Sequence, residues 1–149
     1  MNRETTAVFI GNRDCYDVSI QKIKDAITDA INAGITTFVS GGLGYFDETC
    51  ANLVHELKAQ YPSIKNVLLI PYRNFRIFNK YIFDEITFPF EHDHTTYSDY
   101  KSAIPRRNEI MVSMSGTAIC CVHREGGASR TLELAKNQNL KIINIPYTA

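Results

Sequence analysis

The chain has no charge of one sign to spare: its 16 Lys and Arg are matched by 16 Asp and Glu over 149 residues. A neutral chain exerts no overall pull on nucleic acid or on an anionic membrane, so an anion site has to be built locally. On this ground nucleic acid is not expected as a partner. No apolar run approaches the ~18 residues of a membrane span, and MNRETTAVFIGNR has no signal-peptide core. A cytoplasmic protein without a membrane partner is expected. The four cysteines, Cys15, Cys50, Cys120 and Cys121, lack paired metal-ligand spacing. Buried reduced thiols are expected, with Cys120 and Cys121 on opposite faces of a strand, and no metal site. Internal repeats, linkers and low-complexity stretches are missing too, which leaves one domain over 1–149. Its 44% hydrophobic and 21% charged residues suit a globular core.

Five short apolar runs have the length and β-branched content of buried strands: TTAVFI (5–10), ITTFVS (35–40), NVLLIP (66–71), TAICCV (117–122) and KIINIP (141–146). Their apolar residues run on without alternating, as in parallel strands covered on both faces. Between them, Ile20, Ile23, Ile27 and Ile31 repeat at helical spacing and Gly34 marks a helix end. Cys50, Leu53, Val54 and Leu57 give a second helix over about 47–60. A third is expected to begin with Pro105 in its first turn, and a fourth to run over about 128–139. The pattern predicts an α/β fold: a Rossmann-like, doubly wound, mainly parallel sheet with helices on both faces. The aromatic-rich stretch 72–100 is the least legible; a helix near 75–85 and a strand near 86–91 are expected there.

In such sheets ligands bind beyond the carboxyl ends of the strands, and four segments fall on that edge. Gly11-Asn12-Arg13 follows the first strand; glycine permits close backbone approach and Arg13 suits a phosphate. Ser40-Gly41-Gly42-Leu43-Gly44 precedes the second helix and offers backbone N–H groups to an anion, with Asp47 as a helix cap or a ribose ligand. Pro105-Arg106-Arg107-Asn108 sets two arginines at a helix start, where the macrodipole disfavours them unless an anion is near. Glu125-Gly126-Gly127-Ala128-Ser129-Arg130-Thr131 is a second glycine-rich helix start. The cluster at 41–44 follows the second strand and Pro71-Tyr72-Arg73 stands where a ribose-binding acid belongs, so dinucleotide hydride chemistry is not expected, nor any bound cofactor.

These four segments in this order resemble the SLOG superfamily, which joins DprA/Smf DNA-processing proteins, LOG phosphoribohydrolases and YpsA-type proteins. The resemblance runs from GNR at 11–13 to IINIP at 142–146 and is closest to the YpsA-type branch. It implies a nucleotide-type ligand, such as an ADP-ribose-like molecule, near Gly41, Gly42, Gly44, Arg107, Asn108, Gly126 and Gly127; the segments themselves add Gly11, Arg13, Ser40, Asp47, Ser129 and Thr131 to the expected site. An alternative it implies is LOG-like cleavage of the N-glycosidic bond of a nucleoside monophosphate, with Arg107 and Glu133 as the catalytic pair. Here Glu125, Ser129 and Arg130 replace the proline, glycine and threonine of the LOG motif. A further alternative is a DprA-like single-stranded nucleic-acid or protein-interaction module. The family habit and the aromatics of 72–100 suggest a homodimer or higher homo-oligomer.

Smaller candidates are Glu91-His92-Asp93-His94, read as a solvated loop rather than metal ligands, and His123 and His55 as acid–base groups. Tyr72, Phe75, Phe78, Tyr81 and Phe83 are read as core or contact residues before base-stacking ones.

Overall fold

The computed structural model describes residues 2–90 and 100–148. Six parallel strands, β1 (Thr6–Gly11), β2 (Thr37–Ser40), β3 (Lys65–Leu69), β4 (Glu85–Thr87), β5 (Thr117–Cys121) and β6 (Lys141–Asn144), form one sheet in the order β4-β3-β2-β1-β5-β6. Four helices accompany them among the described residues: α1 (Ile20–Asn32), α2 (Tyr45–Leu57), α3 (Tyr100–Ser113) and α4 (Gly127–Asn137). This is the doubly wound parallel architecture that the continuous apolar runs imply.

Pleating divides the central strands β1, β2 and β5 between two cores. Ala7, Phe9, Phe38, Ile119 and Cys121 face α1 and α2, where Ile23, Ile27, Phe46, Leu53 and Val54 close over them. Val8, Ile10, Val39, Ala118 and Cys120 face α3 and α4 and meet Met111, Val112 and Ala135. Cys120 and Cys121 thus take opposite faces, and all four cysteines are free and buried. The isoleucine stripe of α1 buries Ile23 and Ile27 while Ser19 caps the helix by accepting from the Lys22 N–H.

Two expectations change. Pro105 lies inside α3, which starts at Tyr100, so Arg106 and Arg107 fall in its second turn and not at its start. The macrodipole argument for an anion beside them therefore lapses, because that field fades beyond the first turn. No α-helix forms near 75–85; a 3-10 turn at Lys80–Ile82 leads into β4. The aromatics there build a third cluster instead, with Phe75 on Leu68 and Ile70 and with Tyr72 and Phe83 against it. Core packing accounts for most of them, while Tyr81 remains 84% exposed. Glu91-His92-Asp93-His94 lies outside the described residues.

The sheet order sets the site. From β1 the chain winds outward through β2, β3 and β4, then returns to the other side of β1 with β5 and β6. The loops leaving β1 and β5 therefore diverge, and a crevice opens between them at the carboxyl edge.

Candidate ligand crevice

A cavity of about 620 Å³ occupies that crevice, a volume in the range of small-molecule sites. Gly11, Asn12 and Arg13 from the β1 exit line one side; Arg124, Gly127, Ala128, Arg130 and Thr131 line the other. The face of α3 that carries Ile104, Arg107, Asn108 and Met111, spaced three and four residues apart, forms a third wall. Four arginines (Arg13, Arg107, Arg124 and Arg130) share this lining with two acids, Asp47 and Glu109. A chain neutral overall is therefore locally cationic.

Asn12 ties the two loops together. Its Oδ1 accepts from the His123 N–H at 2.8 Å and its Nδ2 donates to the Arg124 carbonyl at 3.4 Å. Asp14 then holds the Arg124 guanidinium at 3.1 Å and lies 3.3 Å from His123 Nε2. His123 itself stacks on Tyr147 with ring centres 3.9 Å apart.

Arg107 is 1% exposed. Its Nη1 donates to the carbonyls of Gly41 (2.8 Å) and Leu69 (2.6 Å), and its Nε to Asn108 Oδ1 (3.0 Å). Burial lowers its pKa to about 10, which leaves the guanidinium charged at neutral pH. Asp47, also buried, accepts from the Leu43 N–H at 3.0 Å; it braces the turn before α2, whose N-cap Gly44 has no side-chain cap. Burial raises its pKa to about 6, with the Leu43 hydrogen bond and the Arg107 charge opposing that rise.

This pair predicts a pH dependence. The native state holds the Asp47 proton more tightly than the unfolded chain, whose carboxyl titrates near 3.8. The stabilising contribution is complete below about pH 4 and is lost as pH rises through about 6. Urea melts should show Asp47→Asn, which cannot ionise, gaining on the wild type between pH 4 and pH 7. A relative loss over that interval would mean that the carboxylate stabilises the fold.

The two glycine-rich turns differ. In the first, a Cβ on Gly41 would come within 2.8 Å of the Arg107 guanidinium, and one on Gly44 within 2.4 Å of the Arg13 Cα. The N–H groups of Leu43 and Tyr45 are taken by Asp47 and by the Arg13 carbonyl. Ser40, Gly41, Gly42 and Gly44 do not line the cavity. Their turn is a packed support that seats Arg107 and α2.

The second turn is open. Gly126 takes φ +152°, and its N–H and carbonyl both engage Ser129 Oγ. Thr131 Oγ1 donates to the Gly127 carbonyl at 2.8 Å and accepts from Asn108 Nδ2 at 3.3 Å. These hydroxyls brace the turn. Among the described residues no acceptor meets the N–H groups of Gly127, Ala128 or Ser129. A Cβ on Gly127 would find no atom within 4 Å, and its φ is not positive. Of the eight glycines, it alone has neither crowding nor backbone conformation to explain it.

Glu133 does not join the site. The cavity face of α4 carries Gly127, Ala128, Arg130, Thr131 and Leu134; at 100° per residue Glu133 is turned about 200° from Thr131. It is exposed and outside the lining. Glu109 is the carboxylate at the rim. Sequence reasoning passed over Asn12, Arg124 and Glu109. Arg124, three residues beyond β5, stood where the crevice rule points.

The doubly wound parallel sheet is a Rossmann-like fold. The YpsA model, described as the YspA SLOG family, matches residues 4–144, and the chain belongs to that family. Among curated proteins none matches it. Its structure is similar to DNA processing protein A (DprA) from Streptococcus pneumoniae, with TM-score 0.69 and 18% identity over 96% of this chain and 50% of that one. A second similar structure is DNA processing protein A from Helicobacter pylori, with TM-score 0.68 and 15% identity over 98% of this chain and 67% of that one. The chain thus spans half the length of the S. pneumoniae protein. The H. pylori structure is described as giving that protein's single-stranded DNA binding mode.

That comparison corrects the reading of partners. Nucleic acid was set aside because the net charge is zero, yet a protein of this fold binds single-stranded DNA. Net charge was the wrong quantity, since four arginines line one cavity whatever the total. As for membranes, no helix among the described residues is long and apolar enough to cross one.

Proposed function

We propose that the chain binds a phosphate-bearing nucleotide in the crevice, with the phosphate on the first turn of α4. The observation that carries this reading is Gly127: an otherwise unexplained glycine at a helix start whose N–H groups have no acceptor among the described residues. Such a turn suits an anion, and a missing Cβ lets a phosphate approach the backbone. Arg13 and Arg130 stand near enough in the lining to add charge. Ile104, Pro105, Met111 and Leu134 supply an apolar wall for a base. N-glycosidic cleavage through Glu133 is not part of this reading, because that carboxylate lies off the cavity.

Calorimetry with AMP, ADP-ribose, NAD, a cyclic nucleotide and a short single-stranded DNA tests it. At least one free nucleotide should bind, with an affinity that falls as salt rises, as a phosphate–arginine contact requires. Binding of the oligonucleotide alone would move the reading to nucleic acid. No binding by any of them at millimolar concentration would end it.

A further inference from the structure

Behind the crevice two sulfurs meet in the core. Cys15 lies within the loop that joins β1 to α1 and Cys121 ends β5; both are 0% exposed. The Cys15 thiol donates to Cys121 Sγ at 2.9 Å and lies 3.6 Å from the Cys121 carbonyl. A disulfide needs about 2.05 Å between sulfurs, so bonding asks for a shift of under about 1 Å. The backbone already holds the two segments together: the Asn12 N–H donates to the Cys121 carbonyl at 3.4 Å, and the Cys15 N–H to the Asn12 carbonyl at 3.2 Å. Cys120 faces the opposite core and is out of this cluster. Cys50 is in the same core as the pair, but no hydrogen bond to it is made among the described residues.

We propose that Cys15 and Cys121 are an oxidation site, closing to an intramolecular disulfide under a peroxide. One thiolate attacks a peroxide oxygen; an S–O bond forms, the O–O bond breaks, and the departing hydroxide takes a proton to become water. The second thiolate attacks that sulfur; the S–S bond forms, the S–O bond breaks, and a second water leaves. Two thiols are oxidised and one hydrogen peroxide is reduced to two waters. Burial and the Cys121 contact raise the Cys15 pKa, so the reaction is slow and passes through local opening of the β1 exit loop. The product fastens to β5 the loop that carries Asn12 and Arg13 into the cavity. This inference does not depend on what the cavity holds.

The full chain is treated with hydrogen peroxide, alkylated, and examined by intact mass and by peptide mapping without reduction. The expected result is a loss of about 2 Da with one link between the Cys15 and Cys121 peptides, reversed by dithiothreitol. The residues are 106 apart in sequence, so the oxidised form should melt about 10 °C higher. Cys120→Ala should behave as the wild type, and Cys15→Ala should form no link. Should Cys15→Ala fail to fold, the wild-type peptide map decides alone. Added oxygen in place of a link, a link through Cys50 or Cys120, or a bond between two chains would overturn the proposal.

Discussion

Replacing Gly127 with alanine is expected to weaken nucleotide binding about 30-fold, the equivalent of about 2 kcal/mol for one lost charge-assisted hydrogen bond. Stability should hold or rise slightly, by about 0.4–1 kcal/mol, because alanine restricts the unfolded chain where the native φ suits it. The two effects run in opposite directions, which a folding defect cannot imitate. Gly127 is exposed and the added methyl would meet no side chain or distant backbone within 4 Å, so it displaces solvent in the free protein and obstructs a phosphate in the complex. Calorimetry and a thermal melt on the same preparation read both. Unchanged affinity would remove Gly127 from the site, and a lowered melting point would mean that the turn needs glycine for folding.

Arg107→Met should show the opposite pattern, a severe loss of stability. The guanidinium satisfies the Gly41 and Leu69 carbonyls and faces the buried Asp47. Methionine fills the volume but leaves two buried acceptors and a carboxyl without a cation. Removing one member of a buried charged network costs about 3–5 kcal/mol, which corresponds to about 10 °C in melting temperature for a chain of this size. Combining it with Asp47→Asn should recover part of the loss, since the amide needs no counter-charge. A penalty below about 1 kcal/mol for Arg107→Met would show that water replaces the guanidinium and that the turn at 41–44 stands without it.

The fold was legible because its signals are local. Runs such as AVFI and TAICC have the length and β-branched content of strands buried on both faces, and the Ile20–Ile31 stripe has the spacing of one side of a helix. Elements whose stability comes from elsewhere were not legible. Helix α3 starts at Tyr100, where no apolar stripe announces it, and carries Pro105 in its interior. A proline reads as a helix start from sequence because it suits a first turn, and the packing of Met111 and Val112 against the sheet outweighs its local cost. Tyr72, Phe75 and Phe83 have no period because a non-helical crossover packs them against Leu68 and Ile70.

The placement of the glycine-rich turns was legible from sequence, and their packing was not. Both glycine-rich turns sit at the carboxyl edge as their positions imply, yet glycine composition cannot tell a turn packed from within from one left open. Gly41 is small because Arg107 crosses it, whereas Gly127 is small with nothing across it. Arg107 carries the same ambiguity: beside Arg106 it resembles a phosphate ligand, and burial turns its donors toward two main-chain carbonyls. Helical phase could have excluded Glu133 from sequence alone, once Thr131 was taken to face the ligand.

The central claim is that the first turn of α4 receives a phosphate, and amide chemical shifts test it most directly. In a titration of the labelled protein with ADP-ribose or AMP, the resonances of Gly127, Ala128 and Ser129 should move furthest and saturate together, while those of Gly41 and Gly42 move little. Saturating shifts that spare 127–129 and fall elsewhere on the sheet would contradict it.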